Sequence, residues 1–403
     1  MQASRLIYLS NVRFPSPRAH GHAIVRMCAA LAECGLGVEL WHPGDATPES
    51  IFDFYGLPRT FEIREVANLG LHGAAKVLPG PLATGLAYTR GLMRSRIAVR
   101  AATRAGADVY WSRDPNNIYW LTRYDAPCVF EAHAETKKGR AALVTRAARR
   151  DCFLHAITVT SHLREQLVEI GVPPEKVSVV PNAVDVDAYR DLPDRDGCRA
   201  RLGLPTDRSI VGYVGRFTTT EGEKGLTTLV AAAGRLRAQN GARPLLVAVG
   251  GPVTAIPNYL QHARNLGVDH ENLRFFDHVP APEVPLWVRA CDVVTVPSPD
   301  THYTARVSSP LKVFEYLAAG AAIVASDLPA IRETLTDGED ALLVPPEDPD
   351  ALADAISRLL DSPEDAERLR RNALALSADY SWRSRAERGL DAAGIRVQRS
   401  PSS

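Results

Sequence analysis

Short apolar runs alternate with amphipathic stretches along most of the chain. In the first half the runs are "RLIYLS", "VELWHP", "FEIREV", "VYWS", "CVFEAHA", "AITVTS" and "VSVVPN". In the second they are "SIVGYVGRF", "LLVAVGG", "LRFFDHV", "VVTVPS", "AAIVAS" and "ALLVPP". Runs of this length, rich in β-branched residues and apolar at consecutive positions, predict strands buried on both faces. Helical periodicity is expected between them, over 20–34, 85–105, 138–152, 224–239, 282–290, 310–319 and 349–361. One or two polar, Arg-rich helices follow residue 362. Strands and helices in alternation predict α/β domains built on parallel sheets.

The alternation breaks once, over a polar piece rich in Asp, Arg and Pro. This divides the chain into a Rossmann-like domain over 1–182, a linker over 183–206 and a second Rossmann-like domain over 207–380. A terminal helix and flexible tail, 381–403, complete it. The fold class is therefore two doubly wound α/β domains, expected to face a central cleft. In such sheets ligands bind beyond the carboxyl ends of the strands, so the loops there are where chemistry is expected.

Composition narrows the function. The 403 residues carry 47 basic and 47 acidic side chains, so no overall field draws the chain to nucleic acid or an anionic bilayer. No stretch of about 18 apolar residues predicts a membrane span. The start, "MQASRLIYLSNVRF", lacks the pattern of a signal peptide, which suggests a cytoplasmic protein. Cys28, Cys34, Cys128, Cys152, Cys198 and Cys291 are scattered, without zinc-ligand spacing.

The stretch "SSPLKVFEYLAAGAAIVASDLP", 308–329, holds one carboxylate in an apolar setting. Ser308 or Ser309 suits a helix cap, Pro310 the first turn and Gly320 the end. Leu311, Phe314, Leu317 and Ala318 form the apolar stripe. Glu315 lies off it, one turn from Lys312, and an exposed Lys–Glu pair accounts for it on local pattern alone. Two further strand ends bear on the question. "GYVGRFTTTEGEKG" places Gly215, Arg216 and Lys224 before a helix start, whose free N–H groups suit phosphate. "AVGGP" ends a strand with Gly250 and Gly251. Neither a Gly-x-Gly-x-x-Gly nor a Walker sequence is present.

In this order and spacing, residues 209–345 resemble the nucleotide-binding half of retaining glycosyltransferases of the GT-B fold, glycosyltransferase family four. The elements that carry it are Gly215-Arg216 with Lys224-Gly225, Gly250-Gly251, Glu315 with "AAGAAIVAS", and Glu333. "VVPNAVD", 179–185, is similar to the family's entry into the interdomain linker, and the Trp382 region to a segment returning to the first domain. The resemblance implies that Glu315 accepts hydrogen bonds from the ribose hydroxyls, and that Arg216 and Lys224 hold the diphosphate and stabilise it as it leaves. It implies a nucleoside diphosphate sugar as co-substrate, UDP- or GDP-linked, transfer of a hexose with retention, and no cofactor or metal. "DVD", 185–187, has a metal-binding form but lies in the linker entry.

Ser308, Ser309 and Leu311 are implied readers of donor hydroxyls, and Gly215, Gly250 and Val279 further nucleotide contacts. The family's first glutamate falls on Val307, which cannot bond a hydroxyl, and the loop from Arg216 to Lys224 is long. In the first domain Gly21, flanked by His20 and His22, is implied to admit phosphate. His133 in "FEAHAE" is implied to orient the sugar, and "WSRDPNN", 111–117, is either an acceptor wall or a capped helix start. A lipid-linked glycan, a polysaccharide or a small secondary metabolite is open as acceptor. The first half shows no basic or amphipathic membrane-facing helix, which leans towards a soluble acceptor, and no stable membrane insertion is expected. An epimerase of the same fold would need acid–base groups on the sugar, and a two-lobed solute-binding protein would not need all three charged groups.

Overall fold

The computed structural model describes residues 1–16, 18–44, 48–66, 80–220, 222–236 and 243–398. The end of the predicted helix 224–239 and the tail after 398 lie outside them. The chain divides into two compact units, Met1–Pro181 together with Trp382–Ser403, and Asn182–Ser381.

The first unit is built on seven parallel strands: β1 (Arg5–Leu9), β2 (Gly37–His42), β3 (Glu62–Glu65), β4 (Val109–Ser112), β5 (Cys128–Ala132), β6 (Phe153–Thr158) and β7 (Val177–Val179). Their order is β3-β2-β1-β4-β5-β6-β7. The helices are α1 (Ala19–Glu33), α2 (Pro48–Tyr55), α3 (Gly80–Ala105), α4 (Pro115–Arg123), α5 (Gly139–Ala148) and α6 (Ser161–Glu169). The strand order reverses between β1 and β4, which marks the switch point where such sheets bind ligands.

Helix α3 corrects one expectation. It carries Arg90, Arg94, Arg96, Arg100 and Arg104 and no acidic residue, and its Met93 and Ile97 are 65% and 40% exposed. The first unit thus does hold a basic helix with exposed apolar side chains. Its arginines are interleaved with Ala and Gly, which blurs the apolar period on which the sequence reading depended.

The second unit opens with α7 (Arg195–Leu202), inside the segment read as linker. Asp194 caps this helix through the Gly197 N–H at 2.8 Å. Cys198 and Arg199 are buried, and Arg199 donates to Asp292 at 2.6 Å. Its polar composition concealed a packed helix. The strands are β8 (Ile210–Val214), β9 (Leu245–Val249), β10 (Leu273–Phe276), β11 (Val293–Val296), β12 (Ala322–Ser326) and β13 (Leu342–Val344), in the order β10-β9-β8-β11-β12-β13, all parallel. The helices are α8 (Leu226–Arg235), α9 (Ile256–Asn265), α10 (Val284–Arg289), α11 (Leu311–Ala318), α12 (Pro329–Arg332), α13 (Pro349–Asp361) and α14 (Pro363–Ser377).

Alternate strand residues feed two cores. Ile210, Val214, Val247 and Val249 enter one, with Phe314 and Leu317 of α11. Val211, Tyr213, Leu246 and Ala248 enter the other, with Leu229 and Val230 of α8. The period of two sends each side chain to the opposite face, and burying a large apolar side chain contributes about 1.5–3 kcal/mol. Here too the order reverses at a pair of neighbours, β8 and β11. The last helix, α15 (Trp382–Ala392), belongs to the first unit and begins at Trp382. Among the described residues no helix is long and apolar enough to cross a membrane.

Candidate active site

In the second unit the carboxyl ends of β8, β9 and β11 draw together the residues singled out in the sequence. After β8 the chain turns at Gly215, whose φ of +148° favours glycine. Gly215 N–H donates to Val249 at 2.7 Å and Phe217 N–H to Gly251 at 2.8 Å, lacing the loops after β8 and β9 together. A Cβ on Gly250 would overlap the Gly215 carbonyl, so this glycine serves the approach of two backbones. Arg216 is exposed, and among the described residues its guanidinium has no hydrogen-bonding or ion-pairing partner.

The long loop forms a two-residue antiparallel ladder, Thr218–Thr219 with Gly222–Glu223. It returns the chain so that Lys224 N–H donates to Phe217 at 2.9 Å, with the Lys224 ammonium 5.1 Å from the Tyr303 ring centre. One expectation needs correction here. The N–H groups that open α8 are not open to phosphate, because Glu223 accepts from Gly225 at 2.8 Å, from Leu226, and from Thr227 at 3.4 Å. A carboxylate takes the place in which an anion is stabilised by the helix start.

Helix α11 is set against this turn by Tyr316. Its buried hydroxyl accepts from Val214 N–H at 2.8 Å and donates to the Val214 carbonyl at 3.2 Å. That anchor brings Lys312, one turn earlier, beneath Gly215: a Cβ there would lie 3.0 Å from Lys312 Cε and 3.1 Å from Nζ. The ammonium sits 3.6 Å from the Tyr213 ring centre. Sequence reasoning passed over Lys312 as half of an exposed pair. Instead both Lys312 and Glu315 are half-buried, and among the described residues neither charged group has a hydrogen-bonding or ion-pairing partner. Burial pushes the Glu315 carboxyl up to about 7, against the pull of Lys312. Burial, and then the nearby Lys224, brings the Lys312 ammonium down to about 7, opposed by Glu315 and Glu223.

Ser308 and Ser309 do not cap α11; Pro310 occupies the cap position. Ser309 is instead held by Asn182, whose backbone N–H reaches its hydroxyl at 3.3 Å and whose amide reaches its carbonyl at 2.7 Å. Ser308, Ser309 and Leu311 remain half-buried, and the preceding π-helical turn, Tyr303–Val307, sends Val307 into the core at 3% exposure. Val279 lies past the end of β10 and packs partly on the core. Glu333 closes the short helix α12. Asp187 of "DVD" pairs with Arg190 at 2.9 Å.

The first unit contains a second charged cluster, centred on a residue the sequence reading missed. Glu131, on β5, is fully buried. Its Oε1 accepts from Arg113, Arg385 and His133, each at 2.7 Å, and its Oε2 from Tyr8 at 3.0 Å and Trp111 at 2.9 Å. Burial alone would raise this carboxyl, but Arg113 and Arg385 hold it well below the usual range. Burial and then Arg113 push His133 down to about 3, so it is neutral; with Glu131 ionised its Nε2–H donates to that carboxylate, which leaves Nδ1 as the acceptor nitrogen. Asp114 caps α4 through Asn116 N–H at 2.7 Å, so "WSRDPNN" is the capped helix start. Gly21 lies inside α1, where a Cβ would meet Ser16 and the Tyr55 hydroxyl at 2.8 Å. That packing requires its small size. The signal for Glu131 was an acidic residue within the otherwise apolar run "CVFEA".

Comparison with known proteins accords with this geometry. Residues 208–362 match the model for glycosyl transferases group 1, and residues 21–188 that for glycosyltransferase family 4. The D-inositol 3-phosphate glycosyltransferase of Corynebacterium glutamicum is 27% identical over 89% of this chain and 87% of its own. That of Kineococcus radiotolerans is 29% identical, over 91% and 88%. A glycosyltransferase from Rickettsia africae superposes with a TM-score of 0.73 at 14% identity, over 97% of this chain and 98% of that one. HepE of Anabaena, solved with UDP-glucose, superposes at 0.66 and 15%, over 96% and 98%. Two matched models, two doubly wound sheets and whole-length relatives lead to one conclusion: this chain belongs to glycosyltransferase family four and has the GT-B fold.

Proposed function

We propose that the chain transfers a hexose from a UDP- or GDP-sugar to a hydroxyl acceptor, with retention at the anomeric carbon and without a cofactor or a required metal ion. The observation that carries this is the grouping, at one set of strand ends, of Lys224 with Arg216 and Glu315, whose charged groups have no hydrogen-bonding or ion-pairing partner among the described residues. Cations there meet the negative charge that grows on a leaving diphosphate, and a carboxylate can accept from two vicinal ribose hydroxyls. The N–H groups of Ser309 and Leu311 serve the donor, and His133 accepts from a hydroxyl at Nδ1. The departing phosphate oxygen removes the proton of the attacking hydroxyl, so no separate base is required.

HepE, solved with UDP-glucose, supports a UDP-sugar, and the inositol phosphate glycosyltransferases support a small polar acceptor. The six free thiols agree with a reducing cytoplasm. The matched family models and curated relatives name glycosyl transfer and give the epimerase alternative no support.

The test is acceptor-dependent release of nucleoside diphosphate from UDP-, GDP-, ADP- and dTDP-hexoses, with myo-inositol 3-phosphate among the acceptors and EDTA in a parallel arm. Retained anomeric configuration by NMR and EDTA-resistant turnover are expected. An inverted product or strict dependence on added metal would refute the respective part of the reading, and no transfer from any donor would refute the whole.

A further inference from the structure

Lys312 is not among the cations that the family motif supplies, yet three independent features place it in the same site. The missing side chain of Gly215 leaves room for its terminal carbons, so the ammonium lies against the backbone turn that precedes Arg216. Tyr316 anchors its helix to the end of β8, which fixes that proximity. Its three N–H bonds have no acceptor among the described residues, and its near neighbour is a ring face 3.6 Å away. A half-buried ammonium is stabilised by a cation–π contact less than by charge-assisted hydrogen bonds.

We propose that Lys312 is a third cationic ligand of the diphosphate, exchanging the Tyr213 ring for phosphate oxygens when a nucleotide binds. This rests on the sugar-nucleotide reading above. It adds that the site gains charge on binding. The groups that face Lys312 are Tyr213 on β8, Glu223 at the end of the ladder, Lys224 just after it, and Glu315 on its own helix. In the free protein burial and Lys224 leave Lys312 partly deprotonated near neutral pH. Two phosphate groups beside it reverse that balance, since anions favour the charged form. Nucleotide binding above pH 7 is therefore coupled to uptake of a proton by Lys312, and affinity falls as pH rises.

The experiment is calorimetric titration of the full chain with UDP, and with GDP in parallel, at about pH 6.5 and about pH 8.5, on either side of the Lys312 value. Buffers of different ionisation enthalpy give the proton count. Lys312→Arg keeps the charge and removes the titration; Lys312→Met removes both. At about pH 8.5 Glu315 is already ionised and UDP's own protons are common to both proteins, so the difference there between wild type and Lys312→Arg isolates Lys312. Expected is greater proton uptake by wild type than by Lys312→Arg at the higher pH. Lys312→Met should lose about tenfold or more in affinity at the lower pH, with its unfolding temperature without nucleotide maintained.

Equal proton counts for wild type and Lys312→Arg, or unchanged UDP affinity in Lys312→Met, would overturn the proposal. If Lys312→Met does not fold, the proton count of Lys312→Arg decides. Failure of wild type to bind any nucleoside diphosphate would instead refute the sugar-nucleotide reading itself.

Discussion

Arg385 donates to Glu131 at 2.7 Å across 254 positions of sequence, and both side chains are fully buried. The same guanidinium also reaches the carbonyls of Val180 and Pro181, so the last helix is tied to the end of the first unit's sheet by a charged core. Glu131→Gln removes the compensating charge of two guanidiniums. Loss of about 3 kcal/mol or more in urea unfolding is expected, and an unaffected midpoint would show the cluster to be energetically idle.

The same cluster sets a pH dependence. His133, at about 3, and Glu131, held well below the usual carboxylate range, both bind fewer protons folded than unfolded. Their contribution is complete above the ordinary histidine value of 6.5 and is lost as pH falls, first through His133 and then through Glu131. The unfolding temperature should decline below pH 6.5 in wild type and less steeply in His133→Asn. Identical slopes would contradict the assignment.

Glu315 behaves in the opposite sense. Its folded value of about 7 lies above the ordinary 4.5, so the neutral form is favoured in the free protein and its stabilising effect disappears as pH rises through 7. Ribose hydroxyls favour the carboxylate, so UDP affinity should rise as pH climbs towards 7, above which the Lys312 limb turns it down. Glu315→Gln should weaken UDP about tenfold or more and abolish the rising limb. A variant with wild-type affinity would remove the ribose from Glu315.

On the proposed function, Lys224 and Arg216 carry the leaving-group charge. Lys224→Ala should reduce turnover about a hundredfold, in the range measured for loss of one transition-state donor, with little change in thermal stability because its side chain is only half-buried. Steady-state kinetics on the best donor checks this. Full activity would exclude Lys224 from the diphosphate.

Gly225 opens α8 at a φ of +91°, and a Cβ there would overlap the Pro297 carbonyl at the end of β11. Gly225→Ala should cost about 2 kcal/mol or more in chemical unfolding and displace Lys224. A stable, active variant would show that the two loops do not depend on this approach.

Much of the fold was legible because it is written in local pattern. The apolar runs marked the strands, and the family motif brought Arg216, Lys224 and Glu315 forward together. What stayed hidden were residues whose meaning depends on distant partners. Glu131, Arg113 and Arg385 lie far apart in sequence, and nothing local joins them until β4, β5 and α15 meet. Glu223 was not singled out in the sequence, because only the folded loop brings its carboxylate to the helix start that was to receive phosphate. α7 was lost in a polar segment because its burial rests on Cys198 and Arg199 rather than on an apolar stripe.

By itself, then, the amino-acid order determined two doubly wound sheets and a nucleotide-type set of strand-end residues, because hydrophobic period and turn chemistry act over a few neighbours. Tertiary structure alone decided which charges are buried, which are paired and which remain unpartnered. Desolvation and Coulomb interactions depend on distance in space, and the chain order of Lys312, Tyr213 and Gly215 says nothing of how closely they stand.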